Sequence, residues 1–212
     1  MKNLFQLLLS ICLLCCAFGC SQKSSNYENL FEGAQDVGNI EVPGTFSFDE
    51  KTGIYTLTAS GFNMWHEADA FLMAWKKVDG DFNMSADIAF EGEGFNNHRK
   101  IGIIVREALT DNAPYVDIAV HGGDGLTALQ YRIAEGDTTA HIVSASEYPT
   151  SIYLERKGNV FIAKSGKGNL DISDTEIEME LPETCYVGLF MCSHETNILE
   201  TAHFSNVKFT KE

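Results

Sequence analysis

The chain has 212 residues and a formal charge of −15, with 30 acidic side chains against 15 lysines and arginines. That balance excludes the concentrated basic face that phosphate binding needs, so nucleic acid is not an expected partner. Without a leader of nineteen residues, 193 remain, ample for one domain and tight for two.

At the N-terminus Lys2 precedes Leu4-Phe5 and an apolar run from Leu7 to Phe18. A short basic region, a hydrophobic segment and small residues before a cut make residues 1–19 a secretory signal rather than a membrane span. The ending Ala17-Phe18-Gly19-Cys20 resembles a bacterial lipobox. The resemblance implies that Cys20 becomes the lipidated first residue of the mature chain, with that lipid as the sole membrane contact. Ser21 rather than aspartate follows, which among lipoproteins goes with outer-membrane sorting, so the expected location is the bacterial cell envelope at its outer membrane. Residues 20–29 read as a polar tether and 30–212 as the folded domain. Of six cysteines, only Cys185 and Cys192 remain beyond the leader and Cys20. Seven positions apart in one predicted strand, they stand ~23 Å apart on opposite faces. No disulfide can join them.

Turn chemistry closes Phe31–Gly38, and Val42-Pro43-Gly44 is a second turn. Strands are predicted at 54–59, 69–76 and 81–90, the last with Phe82, Met84, Ala86, Ile88 and Phe90 in a period-two core stripe. A hairpin is predicted at 151–164 around Lys157-Gly158-Asn159, and further strands at 176–181, 186–193 and 202–209. No segment keeps a helical period.

Between these groups lies a three-strand meander from Arg99 to Arg132. Ile101, Ile103, Val105, Val116, Ile118, Val120 and Leu129 fall on one face by alternation. The other face collects Arg106, Asp117, His121, Gln130 and Arg132. The loop Gly122-Gly123-Asp124-Gly125 predicts a hairpin with His121 opposite Leu126, Asp117 beside Gln130 and Tyr115 beside Arg132. A turn at 111–114 would set Arg106 beside Asp117. Planar and bidentate donors gathered on one sheet suit sugar hydroxyls or a carboxylate.

Gly102–Glu107 (GIIVRE), Leu129–Arg132 (LQYR), Val187–His194 (VGLFMCSH) and Phe204–Val207 (FSNV) are similar to concanavalin A-like domains, most of all the small branch labelled regulation of enolase protein. The resemblance runs from about Phe31 to Phe209. It implies an all-β, two-sheet antiparallel jelly-roll sandwich with a convex and a concave sheet. Lectins, glycosidases, polysaccharide lyases and non-catalytic modules share that fold, so activity must be argued from the site.

Two catalytic constellations are candidates. Glu176, Glu178 and Glu180 alternate as do the acidic residues of glucanases in the resembled superfamily, neighbours ~6.6 Å apart. No tryptophan accompanies them, and an edge strand guarded by charge explains them equally. The second pairs His121 with Asp117 as acid or base, with an arginine for a uronate. His98 with Arg99, and His194 with Glu195, reach the same rim. Trp65, beside Asn63 and His66 in a predicted loop, is the better sugar platform, since Trp75 shares a core-like face with Phe71 and Met73.

No dedicated metal-ligand spacing occurs. No cofactor is expected, and a structural calcium is the one ion the jelly-roll resemblance admits. The expected function is a lectin-like envelope lipoprotein that binds an oligo- or polysaccharide through Arg106, Asp117, His121, Gln130, Arg132 and Trp65. A glycoside hydrolase or polysaccharide lyase in the same groove, with His121, Asp117 or Glu178 as catalytic groups, is the alternative. A protein-docking module is a further one.

Overall fold

A computed structural model describes residues 27–168 and 173–211. The leader, Cys20 and the tether as far as residue 26 lie outside the described residues. Within the stretch expected to be tether, the Tyr27 amide donates to the Glu50 carbonyl at 2.9 Å.

Fourteen strands and no helix make up the regular structure among the described residues. In chain order they are β1 (Gly33–Val37), β2 (Thr45–Asp49), β3 (Ile54–Gly61), β4 (Phe71–Asp79) and β5 (Phe82–Phe90). Then come β6 (Lys100–Arg106), β7 (Tyr115–His121), β8 (Thr127–Arg132), β9 (Ala140–Val143) and β10 (Ser151–Lys157). The last are β11 (Val160–Gly166), β12 (Ser173–Glu178), β13 (Thr184–Cys192) and β14 (Glu195–Lys211). One seven-stranded sheet runs β1-β4-β13-β6-β7-β8-β9 and the other β12-β11-β10-β5-β14-β3-β2. Every neighbouring pair is antiparallel.

The stripes that alternate in the sequence meet between the sheets. Ile101, Ile103, Val105, Val116, Ile118, Val120 and Leu129 from one sheet pack against Phe82, Met84, Ala86, Ile88, Leu154 and Phe204 from the other. Burying each such side chain fully contributes about 1.5–3 kcal/mol, and this layer is what holds the two sheets together. Cys185 belongs to it, while Cys192 points the opposite way, so the two thiols stay free and buried.

Three short strands lie outside the predicted set, β1, β2 and β9. All three form sheet edges or pair at them, where one row of hydrogen bonds replaces a full apolar stripe. The closing strand, Glu195–Lys211, is longer than 202–209, and its pairing is irregular: the register shifts between Glu195 and Glu200 and again between Ser205 and Lys208, near Asn206 with φ 50°. The central hairpin closes as the loop chemistry predicts, with Tyr115 opposite Arg132 and Asp117 opposite Gln130. Arg106, however, pairs with Tyr115 rather than Asp117. The whole of 107–114 is loop, and its carbonyls wrap the Arg106 guanidinium.

Candidate functional site

Positions 106, 115, 117, 121, 130 and 132 share the face of the first sheet that looks away from the interlayer core. A second apolar cluster covers much of it, with Val37, Met64, Phe71, Met73, Ile104, Tyr115 and Phe190. The segment between β3 and β4 folds down as a roof. Tyr115 donates its hydroxyl to the Met64 carbonyl (2.8 Å), and the Thr139 amide donates to the Trp65 carbonyl (3.0 Å).

Under this roof Arg106, Arg132 and Asp69 form a closed ionic network. Arg132 donates to Asp69 through Nη1 (2.8 Å) and Nη2 (2.6 Å), and Arg106 Nη1 donates to the same carboxylate at 3.1 Å. Both guanidiniums also donate to backbone oxygens: Arg106 to Ala108 and Thr110, Arg132 to His66 and Asp137. All three side chains are fully buried. The expectation that Arg106 and Arg132 contact a ligand is therefore corrected. Two guanidiniums on a covered face need a shared counter-ion and loop carbonyls, and here they use both to pin the roof that carries Trp65.

The opposite end of the same face is open. A cavity of about 330 Å³ has Lys100, His121 and Gln130 on its floor, Asn63, Trp65 and His141 on one wall, and His98, Asp124, Leu126 and His194 around the rest. Four of the chain's six histidines meet there. The His98 ring lies 5.3 Å from that of His121 and 5.5 Å from that of His194, and Trp65 leans on His141 at 5.0 Å.

Two loops that make the mouth are stitched together, Gly122 N donating to Arg99 O (2.8 Å) and Gly123 N to Asn97 O (3.0 Å). Only glycine permits that approach, since a Cβ on Gly123 would lie 2.4 Å from Asn97. Arg99 anchors the first loop from beneath through an ion pair with Glu200 at 2.8 Å.

The floor is polar and poorly satisfied. Lys100 is 2% exposed, and its ammonium donates to Asn63 Oδ1 at 3.1 Å. Gln130 Oε1 and His121 Nε2 are buried without a hydrogen-bond partner, and behind the floor the Asp117 carboxyl is buried against the Gln130 backbone. Burial pushes the Asp117 carboxyl well above the usual carboxylate range, aided by the Asp69 charge and opposed by Lys100 and Arg106. Burial also lowers His121 to about 4, Lys100 adding to the effect and Asp124 opposing it. His194 is lowered for the same two reasons, burial first. At neutral pH the floor thus carries a neutral His121 beside a buried ammonium, a donor–acceptor surface with spare capacity.

No protein-family model matches the sequence, and no curated protein matches it. Similarity is found among solved structures. A functionally unknown protein from Saccharomyces cerevisiae has a TM-score of 0.61 at 14% identity, covering 84% of this chain and 96% of its own. The carbohydrate-binding module CBM66 from Bacillus subtilis scores 0.56 at 16% identity, covering 86% and 98%. The fold is a concanavalin A-like jelly roll. A family 7 alginate lyase in complex with substrate scores 0.53 at 10% identity, covering 78% and 80%.

Of the predicted site residues of this jelly roll, His121, Gln130 and Trp65 meet in the cavity. Asp117 lies buried beside Gln130 in the ladder and does not line it. His98 and His194 reach the rim as expected, whereas Arg99 is buried in its ion pair. Glu178 is not brought to the groove. It sits exposed on β12, at the far edge of the second sheet, because Ile177 takes the inward position against the core. Sequence reasoning missed Lys100 and His141. Lys100 begins a strand whose next five members are apolar or glycine, and His141 lies on the exposed edge strand β9, without alternation.

Proposed function

We propose that this protein binds an oligo- or polysaccharide in the cavity beside Trp65, as a lectin-like module. The observation that carries the reading is that two cavity-lining residues, His121 and Gln130, each keep a buried polar atom without a partner. Such atoms are costly unless something completes them, and sugar hydroxyls, both donors and acceptors, are suited to do so. Trp65 offers the apolar face on which a pyranose ring stacks. The buried Lys100 ammonium, in a chain otherwise strongly acidic, favours a sugar that bears a carboxylate. Two of the similar structures, a carbohydrate-binding module and an alginate lyase with substrate, are in keeping with a glycan ligand.

A lyase acting in the same cavity is the second reading. It is favoured by His121, whose imidazole is in its basic form at neutral pH with Nε2 unengaged. The lipid anchor at Cys20, the outer-membrane location, a folded domain over residues 30–212 and membership of the regulation of enolase branch belong to the same proposal, supported by the sequence motifs alone.

Calorimetric titration with neutral and uronate oligosaccharides, with absorbance at 235 nm followed in parallel, tests it. Saturable binding of an acidic glycan that weakens in Lys100→Met and Trp65→Ala supports the module. Growth of unsaturated product, abolished by His121→Ala, transfers the site to a lyase. No heat and no product with any glycan overturns both.

A further inference from the structure

We propose that His98, His121 and Asp124 form a binding site for one divalent ion of the zinc class at the mouth of the cavity. One donor atom from each of the three lies within 4.8 Å of the others. Asp124 Oδ1 stands 3.2 Å from His121 Nδ1, and Asp124 Oδ2 stands 3.8 Å from His98 Nδ1. Around a tetrahedral zinc with bonds of about 2.0–2.1 Å, neighbouring donors sit about 3.3 Å apart. The His121–Asp124 edge already has that length. His98, an exposed side chain on a loop, faces the other carboxylate oxygen, Oδ2, so its ring swings in, or the carboxylate turns, to bring one oxygen and both imidazoles around a single ion.

The donor set selects the ion. Two imidazoles and one carboxylate suit zinc and its neighbours, whereas calcium asks for six to eight oxygens. The inner edge of His121, its Nε2, is buried without a partner, which leaves Nδ1, the edge toward Asp124, as the coordinating one. The stitched loops hold the three residues to one another: His98 N donates to Asn96 Oδ1 (2.9 Å), and Asp124 Oδ1 also accepts from Leu126 N (3.1 Å).

Lys100 is the opposing charge, cross-strand from His121. Its ammonium is engaged by Asn63, and its repulsion disfavours ions held by charge alone more than ions that form directional bonds to nitrogen. Three protein ligands leave one tetrahedral position open, and the site borders the cavity, so water or a ligand oxygen completes the shell. The site lies outside what sequence spacing reveals, because its members come from a loop, a strand end and a turn. It stands independently of the glycan reading.

The experiment uses the untagged full chain, stripped with chelator and titrated with zinc alone by calorimetry, and with cobalt(II) by visible absorption. The expected result is one ion per chain, tetrahedral ligand-field bands with cobalt, and a zinc-dependent rise in melting temperature. Affinity should fall at least about tenfold in both His98→Ala and Asp124→Asn. Both side chains are exposed, so circular dichroism of the metal-free variants should match the parent. His66→Ala, an exposed histidine outside the cavity, should bind as the parent does. Binding that exceeds one ion without saturation, or that is unchanged in both site variants, overturns the proposal.

Discussion

At one end of this face Arg106 and Arg132 share Asp69, and none of the three is left with an unpartnered side-chain nitrogen or oxygen; at the other, His121, Gln130 and Asp117 keep buried polar atoms unmatched around a Lys100 held by Asn63. The same strands, β6, β7 and β8, supply both ends. What separates them is satisfaction, not polarity. A closed network has nothing left to offer a ligand and becomes architecture, while an open one keeps the capacity to recognise something.

The largest effect that would test this contrast is at Asp69. Asp69→Asn leaves two buried guanidiniums without a counter-ion and should cost about 3–5 kcal/mol, read from the urea midpoint. A near-neutral result would mean that the sealed end is not held by its ion pairs. Asp117→Asn should act in the opposite direction. With its folded pKa raised by burial, Asp117 stabilises the fold below about pH 4 and loses that contribution as pH rises through the folded value. The asparagine variant should escape that loss, gaining about 1–3 kcal/mol at neutral pH and a flatter pH profile.

His121, lowered to about 4, favours the fold fully above pH 6.5, and that share fades as pH falls through 4. In His121→Gln the drop in melting temperature between pH 6.5 and 4 should be shallower than in the parent. The smallest effect is at the wall. Trp65→Ala should weaken glycan binding by about 1 kcal/mol, roughly fivefold, and leave the melting temperature within a degree or two, since the ring is only partly covered.

Alternation alone placed the apolar stripes of β5, β6 and β7 and the register of the 121–126 hairpin, because a short glycine-rich loop leaves the strands little freedom to slip. The pairing of Arg106 was out by two, since an eight-residue connection that folds around a guanidinium does not behave as a turn. Asp69 reads in sequence as the first residue of a strand, and nothing local marks it as the partner of arginines 37 and 63 positions away. Alternation put His121 and Gln130 on one face, and Trp65 stood out only as an aromatic ring in a predicted loop; the fold brings the three to one cavity. Which polar residues of that face are roofed over is decided by the segment between β3 and β4, whose fold has no period to read. Glu178 misleads for a related reason: three glutamates in alternation have the same spacing on a solvent face as in a groove.

The two backbone hydrogen bonds from Gly122 and Gly123 to the 97–99 loop have a thermodynamic consequence. They fix the mouth of the cavity before anything enters, so little loop entropy remains to be lost on association, and affinity is spent on contacts rather than on ordering. The same rigidity narrows tolerance. Under the proposed glycan reading, a ring with one misplaced axial substituent meets a stitched mouth, so discrimination between epimers should come from exclusion, with heat of binding that scales with fit rather than with ligand size.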